Sequence, residues 1–287
     1  MNLRRSAGRN ALSLFCLYFL SSSSVVLAGD SLAACRKQVA DLLAAKRFDE
    51  AHGAVVKALK LYPREPWLLA QAAQICVYLE RDEEANLFAE SAERAMQAKP
   101  WDAETSYWLA NVFRQLDAYD KSIQVLETGL MDFPGNRSLR FLLGENYLRR
   151  GEPAKSEAIF QPLCRESPSS FMNWLNLMDA QEKQGKWQSL VESGKLMEKA
   201  AAAVPVTAGK PAVRDSVIFA RCLSHQAKGY MKLGRWQEAK TCLERVLRIM
   251  PLDRPTLVDH MMVCAKLNDK VGESVDRKKL SEFDKGL

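Results

Sequence analysis

The chain is poor in the residues that carry chemistry. Its three histidines, His52, His225 and His260, are scattered through the sequence. There is no HExxH, no GxSxG and no glycine-rich phosphate loop, so zinc hydrolases, serine hydrolases and nucleotide-binding enzymes lack their local signatures. Seven cysteines stand at 16, 35, 76, 164, 222, 242 and 264. None forms a CxxC pair, and no histidine lies at metal-ligand spacing from them. They are expected as buried free thiols, with Cys242 and Cys264 the pair to test for a disulfide if the protein is exported. Arg4, Arg5 and Arg9 account for three of the 41 basic residues, and the remaining 38 face 35 acidic ones. That balance provides no broad basic field for nucleic acid. Asp49-Glu50, Asp82-Glu83-Glu84 and Glu90 read as solvated helix charges, and His52 is expected on the surface. No catalytic residue, cofactor or metal is expected.

What the sequence does have is a recurring phrase. Leu233-Gly234-Arg235-Trp236-Gln237-Glu238-Ala239 has counterparts at Ala45–Ala51, Leu116–Ser122 and Gln184–Leu190, and a degenerate copy at Arg150–Ser156. The aromatics Phe48, Tyr119, Trp187 and Trp236 are separated by 71, 68 and 49 residues. These intervals are two periods of about 34 plus three, two periods, and one period plus fifteen, the mark of a helical repeat array.

Residues 1–28 read as a Sec-type signal peptide. A basic start at Arg4, Arg5 and Arg9 precedes the apolar run Ala11–Leu20, and Val26-Leu27-Ala28 offers small residues for cleavage before Gly29. Two other readings stay open. One is an uncleaved anchor, although an apolar stretch of about 18 residues is near the lower limit for spanning a bilayer. The other is a lipoprotein, because Leu32-Ala33-Ala34-Cys35 resembles a lipobox.

Phased on the turn, the chain divides into two-helix units near 32–63, 66–99, 103–134, 137–168, 171–200 and 220–251. A loop insertion, either an extended loop or a helix extension and loop, falls at 201–214 and capping helices at 254–287. Apolar residues recur at helical spacing in each unit. Examples are Cys35, Gln38, Val39 and Leu42 in the first, the small stripe Ala72, Ala73, Cys76, Ala85, Ala89 and Ala92 in the second, and Trp174, Leu177 and Met178 in the fifth. The final helix is read with a stripe of Val258, Met261, Met262 and Ala265, and the charged tail after Asp269 as a solvated cap. An array needs such a cap to keep its last apolar face from water.

Leu143-Gly144-x2-Tyr147, Trp174-x2-Leu177, Ala227-x2-Tyr230, Ala51-x3-Val55 and Ala239-x3-Leu243 carry a resemblance to the tetratricopeptide repeat family. Prolines at 63, 100, 134, 168 and 251 close the units. The resemblance covers about residues 32–267. It implies an all-α, right-handed superhelical solenoid of about six two-helix repeats, acting without catalysis. A peptide or partner helix would bind a groove lined by the first helix of each unit. Gln74, Tyr107, Asn111, Arg114, Phe141 and Glu145 are the expected groove residues. Arg36 and Ala40 stand where the family's chaperone-tail clamp needs Lys and Asn, so no such clamp is expected. The partners are expected to be proteins and not nucleic acid. Membrane contact would come only through the N-terminus or a lipidated Cys35, and oligomers are allowed. The place of action is expected outside the cytoplasmic membrane, as a free adaptor in envelope assembly or secretion. The alternative is an anchored structural subunit of a polysaccharide-export, pilus or secretion machine.

Overall fold

The computed structural model describes residues 31–97, 102–205 and 216–284. The expected signal peptide, Pro100 and most of the 201–214 insertion lie outside the described residues. Among those described there are fourteen helices and no strands, arranged as seven antiparallel pairs. They are α1 (Leu32–Ala44) with α2 (Phe48–Leu61), α3 (Pro66–Tyr78) with α4 (Asp82–Gln97), α5 (Ala103–Gln115) with α6 (Tyr119–Asp132), and α7 (Arg137–Arg149) with α8 (Pro153–Glu166). Then come α9 (Phe171–Lys183) with α10 (Trp187–Ala203), α11 (Val217–Lys232) with α12 (Trp236–Ile249), and α13 (Arg254–Lys266) with α14 (Lys270–Asp284). The chain forms two compact bodies that divide after Asp132. The N-terminal body holds the first three pairs and the C-terminal body the last four.

Each pair turns the same way, for a stereochemical reason. One residue per turn has a left-handed backbone: Lys46, Glu80, Asp117, Gly151, Gly185, Gly234 and Asn268, with φ between 56° and 82°. That conformation lets the next amide reach back to the helix it leaves and cap an otherwise orphaned carbonyl. Arg47 N–H bonds Leu42 O, Arg81 bonds Cys76, Ala118 bonds Phe113, Glu152 bonds Tyr147, Lys186 bonds Gln181, Arg235 bonds Tyr230 and Asp269 bonds Cys264, all at 2.8–3.0 Å. The last of these bonds makes α13 and α14 a seventh pair with full repeat geometry. Side-chain caps start many of the first helices: Ser31, Asp102, Asn136, Ser216 and Asp253 each accept from the amide three residues on. Repeat two instead starts with Pro66 in its first turn, where the missing N–H costs nothing.

Lys46 is exposed and sits in the left-handed region at φ 57°. Lys46→Gly is expected to raise stability by about 0.5–1 kcal/mol, because the Cβ clash of a left-handed residue disappears. A higher denaturant midpoint at unchanged slope checks it.

Most of the expected stripes are buried. Ala72, Ala73, Cys76, Ala85, Ala89 and Ala92 are fully covered, as are Phe113, Leu126, Phe160, Met178, Leu190 and Leu243. Small side chains let α3 and α4 approach closely, and α3 is buried on all sides from Pro66 to Cys76. Three expectations need correction. Gln38 is exposed, since α1 has no preceding helix to cover that side among the described residues. On α13 the buried set is Thr256, Leu257, His260, Val263 and Cys264, whereas Val258 and Met262 stay about half exposed. The stripe was read one position out of phase, because apolar and polar residues alternate there without a clean period. The final helix does not dry the end of the array, as Val271 is 75% and Val275 48% exposed. At the insertion, α10 runs on to Ala203, the helix extension that was one of its two expected forms.

Candidate functional site

In the N-terminal body the first helices α1, α3 and α5 are joined by a line of polar side chains. The Arg36 guanidinium lies over the Trp67 ring, 5.3 Å from its centre, and pairs with the buried Glu65. Trp67 Nε1–H donates to Glu104 Oε1 at 2.9 Å. Further along, Asn111 Nδ2 donates to Gln74 Oε1 at 2.8 Å, and Gln115 Nε2 donates to the same oxygen at 3.2 Å. Arg114 Nη2 donates to Asn111 Oδ1 at 2.7 Å. Gln74 and Asn111 are buried, at 1% and 8% exposure, so they link α3 to α5 inside the wall. Arg114 is only partly covered, yet its Nε–H is sealed from solvent and has no acceptor. Tyr107 and Trp108 are half-buried and meet edge to face, with ring centres 5.4 Å apart. Gln74, Tyr107, Asn111 and Arg114 therefore all belong to one wall, with Arg114 and Tyr107 at its accessible edge.

Phe141 and Glu145 belong to the C-terminal body. Phe141 packs edge to face on Phe160 of its own repeat, with ring centres 5.5 Å apart. Glu145 is half-buried on α7. It holds the register position of Gln74 and Asn111, six residues before the left-handed residue of its turn, as do Asp179 and Lys228.

Glu182 of α9 stands far in sequence from His225 and Lys228 of α11. The structure brings them together. His225 Nδ1 lies 2.5 Å from Glu182 Oε2, and Lys228 Nζ donates to Glu182 Oε1 at 3.1 Å, tying α9 to α11. Burial alone would push the Glu182 carboxyl up. The bonds and charges of His225 and Lys228 outweigh it and hold the carboxyl down at about 2. On α13, burial raises Asp259, Lys228 pulls it back, and Glu182 and Asp253 add to the rise. Asn176, also on α9, has a sealed Nδ2 with no acceptor. No linear motif could have found this set, since Glu182 and His225 are 43 residues apart.

The cysteines Cys35, Cys76, Cys164, Cys222, Cys242 and Cys264 are free and buried. The tested pair, Cys242 and Cys264, is thus unbonded. Burial is the first cause that pushes Cys76, Cys222 and Cys242 up to about 12 and Cys264 up to about 11, so these thiols are poor nucleophiles. Two sets of mixed donors correct the expectation that no histidine stands at ligand spacing from a cysteine. In the first, His260 and Cys264 lie one turn apart on α13 beside the buried Asp276 of α14. His260 Nδ1 is hydrogen-bonded to Asp276 Oδ2 at 2.6 Å, so this set satisfies itself. In the second, His52 of α2, Cys76 of α3 and Glu84 of α4 converge. His52 is not a surface residue: its side chain is 21% exposed and its Nε2 is sealed without a hydrogen bond.

No helix among the described residues is long and apolar enough to cross a membrane. The tetratricopeptide repeat model matches residues 220–253. No curated protein matches the sequence. Solved structures do resemble the fold. The structure reported for pilF of Pseudomonas aeruginosa is 15% identical with a TM-score of 0.58, covering 82% of this chain and 96% of that one. A tetratricopeptide repeat protein from Parabacteroides merdae is 16% identical with a TM-score of 0.56, covering 86% and 91%. YrrB, described as a TPR protein with an unusual peptide-binding site, is 14% identical with a TM-score of 0.54, covering 75% and 98%. With seven helix pairs among the described residues turning through the same capped left-handed residue, and with residues 220–253 matched by the family model, the chain has the tetratricopeptide-repeat fold.

Proposed function

We propose that this protein is a non-catalytic adaptor that holds an extended peptide or helix of a partner protein along its first helices, outside the cytoplasmic membrane, in envelope assembly or secretion. The observation that carries the reading is the partly exposed Arg114 guanidinium at the edge of that wall, aimed by the bond from its Nη2 to Asn111 Oδ1 beside the amides of Gln74 and Gln115. A planar fork held in this way suits a partner carbonyl or carboxylate. Gln74 and Asn111 serve as the support that aims Arg114, and Tyr107 supplies apolar area beside it. In the C-terminal body, Phe141 and Glu145 of α7 are assigned to that body's own first-helix face. Burial pushes the thiols up, and His260 is held by Asp276, which supports binding without covalent chemistry.

Export rests on the sequence of residues 1–28, and an intact mass beginning at Gly29 in an extracytoplasmic fraction is the result expected for the free form. Cys35 is buried in α1 and follows the capping Ser31, which a chain processed at Cys35 would lose. This supports the free form over a lipidated one.

The groove is tested by selecting peptides on the immobilised full chain and measuring their affinity for variants. Arg114→Ala is expected to weaken the selected peptides at least about tenfold, or about 1.4 kcal/mol. Arg114→Lys should not restore them, because one ammonium does not replace a planar fork. Unchanged affinity in Arg114→Ala, with the fold intact by circular dichroism, would count against this face.

A further inference from the structure

We propose that His52, Cys76 and Glu84 form a site for one divalent cation of the zinc type, built between the first and second repeats. The three residues come from three consecutive helices, α2, α3 and α4, and their donor atoms lie within 4.8 Å of one another. Nitrogen, thiolate and carboxylate oxygen together are a borderline-soft donor set, the kind that favours zinc over magnesium or calcium.

Geometry supports it in two ways. His52 Nε2 and Glu84 Oε1 are 3.4 Å apart. Ligands at roughly 2.0–2.1 Å in a tetrahedron stand about 3.3 Å from each other, so this edge already has the length a zinc ion requires. His52 Nε2 is also sealed from solvent without a hydrogen bond, a cost that metal coordination removes. The second carboxylate oxygen of Glu84 faces Arg81 Nη1 at 3.7 Å, which leaves Oε1 for the ion and steadies the group from behind. Tilted stacking of Phe48 on Tyr78, with ring centres 4.7 Å apart, pins the start of α2 against the end of α3 and so fixes the same contact.

Register explains the room for an ion. Cys76 stands four residues before the left-handed Glu80; the matching positions hold rings in three repeats, Phe113, Tyr147 and Tyr230, and Leu42 and Gln181 in two others. A sulfur in place of a ring leaves space that the His52 imidazole enters from the preceding repeat. Cys264 has the same register, but there His260 is already bonded to Asp276 at 2.6 Å and offers no free edge.

On binding, the Cys76 S–H bond breaks, an S–metal bond forms, and the proton passes to solvent. Glu84 is 41% exposed at the rim, so water can take the fourth position. The ion would tie repeats one and two together and act as a structural staple.

Cobalt(II) is the probe, added to the reduced full chain after chelator treatment. One equivalent is expected to bind with a thiolate-to-cobalt charge-transfer band in the near ultraviolet and tetrahedral bands in the visible. Zinc should displace it. His52→Ala and Glu84→Gln, both at partly exposed positions that tolerate change, should each weaken binding at least about tenfold. Cys76→Ser should remove the charge-transfer band, and Cys264→Ser should leave everything unchanged. Absence of tight binding overturns the proposal. So does binding that survives His52→Ala and Glu84→Gln, or binding lost in Cys264→Ser, which would place the ion in the α13–α14 cluster.

Discussion

Phe160→Ala is expected to lower the unfolding free energy by about 3–5 kcal/mol. The ring is fully buried in α8, packs edge to face on Phe141, and sits in a core with Leu163, Trp174 and Met178. Its removal takes away buried apolar area and leaves a cavity that the helices, clamped by short turns, fill only in part. Gly144 of α7 shows how tight the fit is. A Cβ there would lie 2.6 Å from Phe160 Cε2 and 2.8 Å from Cζ, and the ring is held on its other side. Gly144→Ala alone should therefore destabilise by about 1–3 kcal/mol through overpacking, less the roughly 1 kcal/mol that alanine gains in a helix interior. In the Phe160→Ala background the same substitution should become favourable, because the methyl then enters the cavity. Urea unfolding of the four proteins of this cycle measures the coupling. Additive effects would mean that Gly144 and Phe160 do not press on each other.

Trp174→Ala is expected to cost a similar 3–5 kcal/mol. The indole is 6% exposed and spans from the α8–α9 contact to the start of its repeat, where Nε1–H donates to the Pro168 carbonyl at 2.9 Å. That bond ties the inter-repeat turn down, since Pro168 interrupts the chain between α8 and α9. Trp174→Phe separates the two contributions. It retains most of the apolar volume and loses the donor, so the expected cost is only about 1 kcal/mol plus any void. If Trp174→Phe is as damaging as Trp174→Ala, the hydrogen bond dominates and the packing account fails.

Trp174 was visible in the linear chain as a motif position. The reason is that helical period and turn chemistry are local. A residue at i+4 shares a face with residue i whatever the rest of the chain does, and a left-handed turn residue followed by a charged or aromatic helix start repeats every 34 residues through most of the chain. On α13 the local signal is weak: the mixed Val258–Ala265 stretch has no dominant period, and the face that is buried differs from the one its apolar residues suggest.

The sequence by itself thus determined the repeat, its length, the all-α class and most of the buried stripes. Tertiary structure alone decided which polar side chains meet. Gln74 meets Asn111, Glu182 meets His225, and His52 meets Cys76 and Glu84. These partners lie 24–43 residues apart, on different helices, and their meeting depends on how each pair rotates against the next. That rotation is set by side-chain volume at the contact: small residues draw α3 and α4 close, and a cysteine in place of a ring admits His52. Spacing along the chain does not record it.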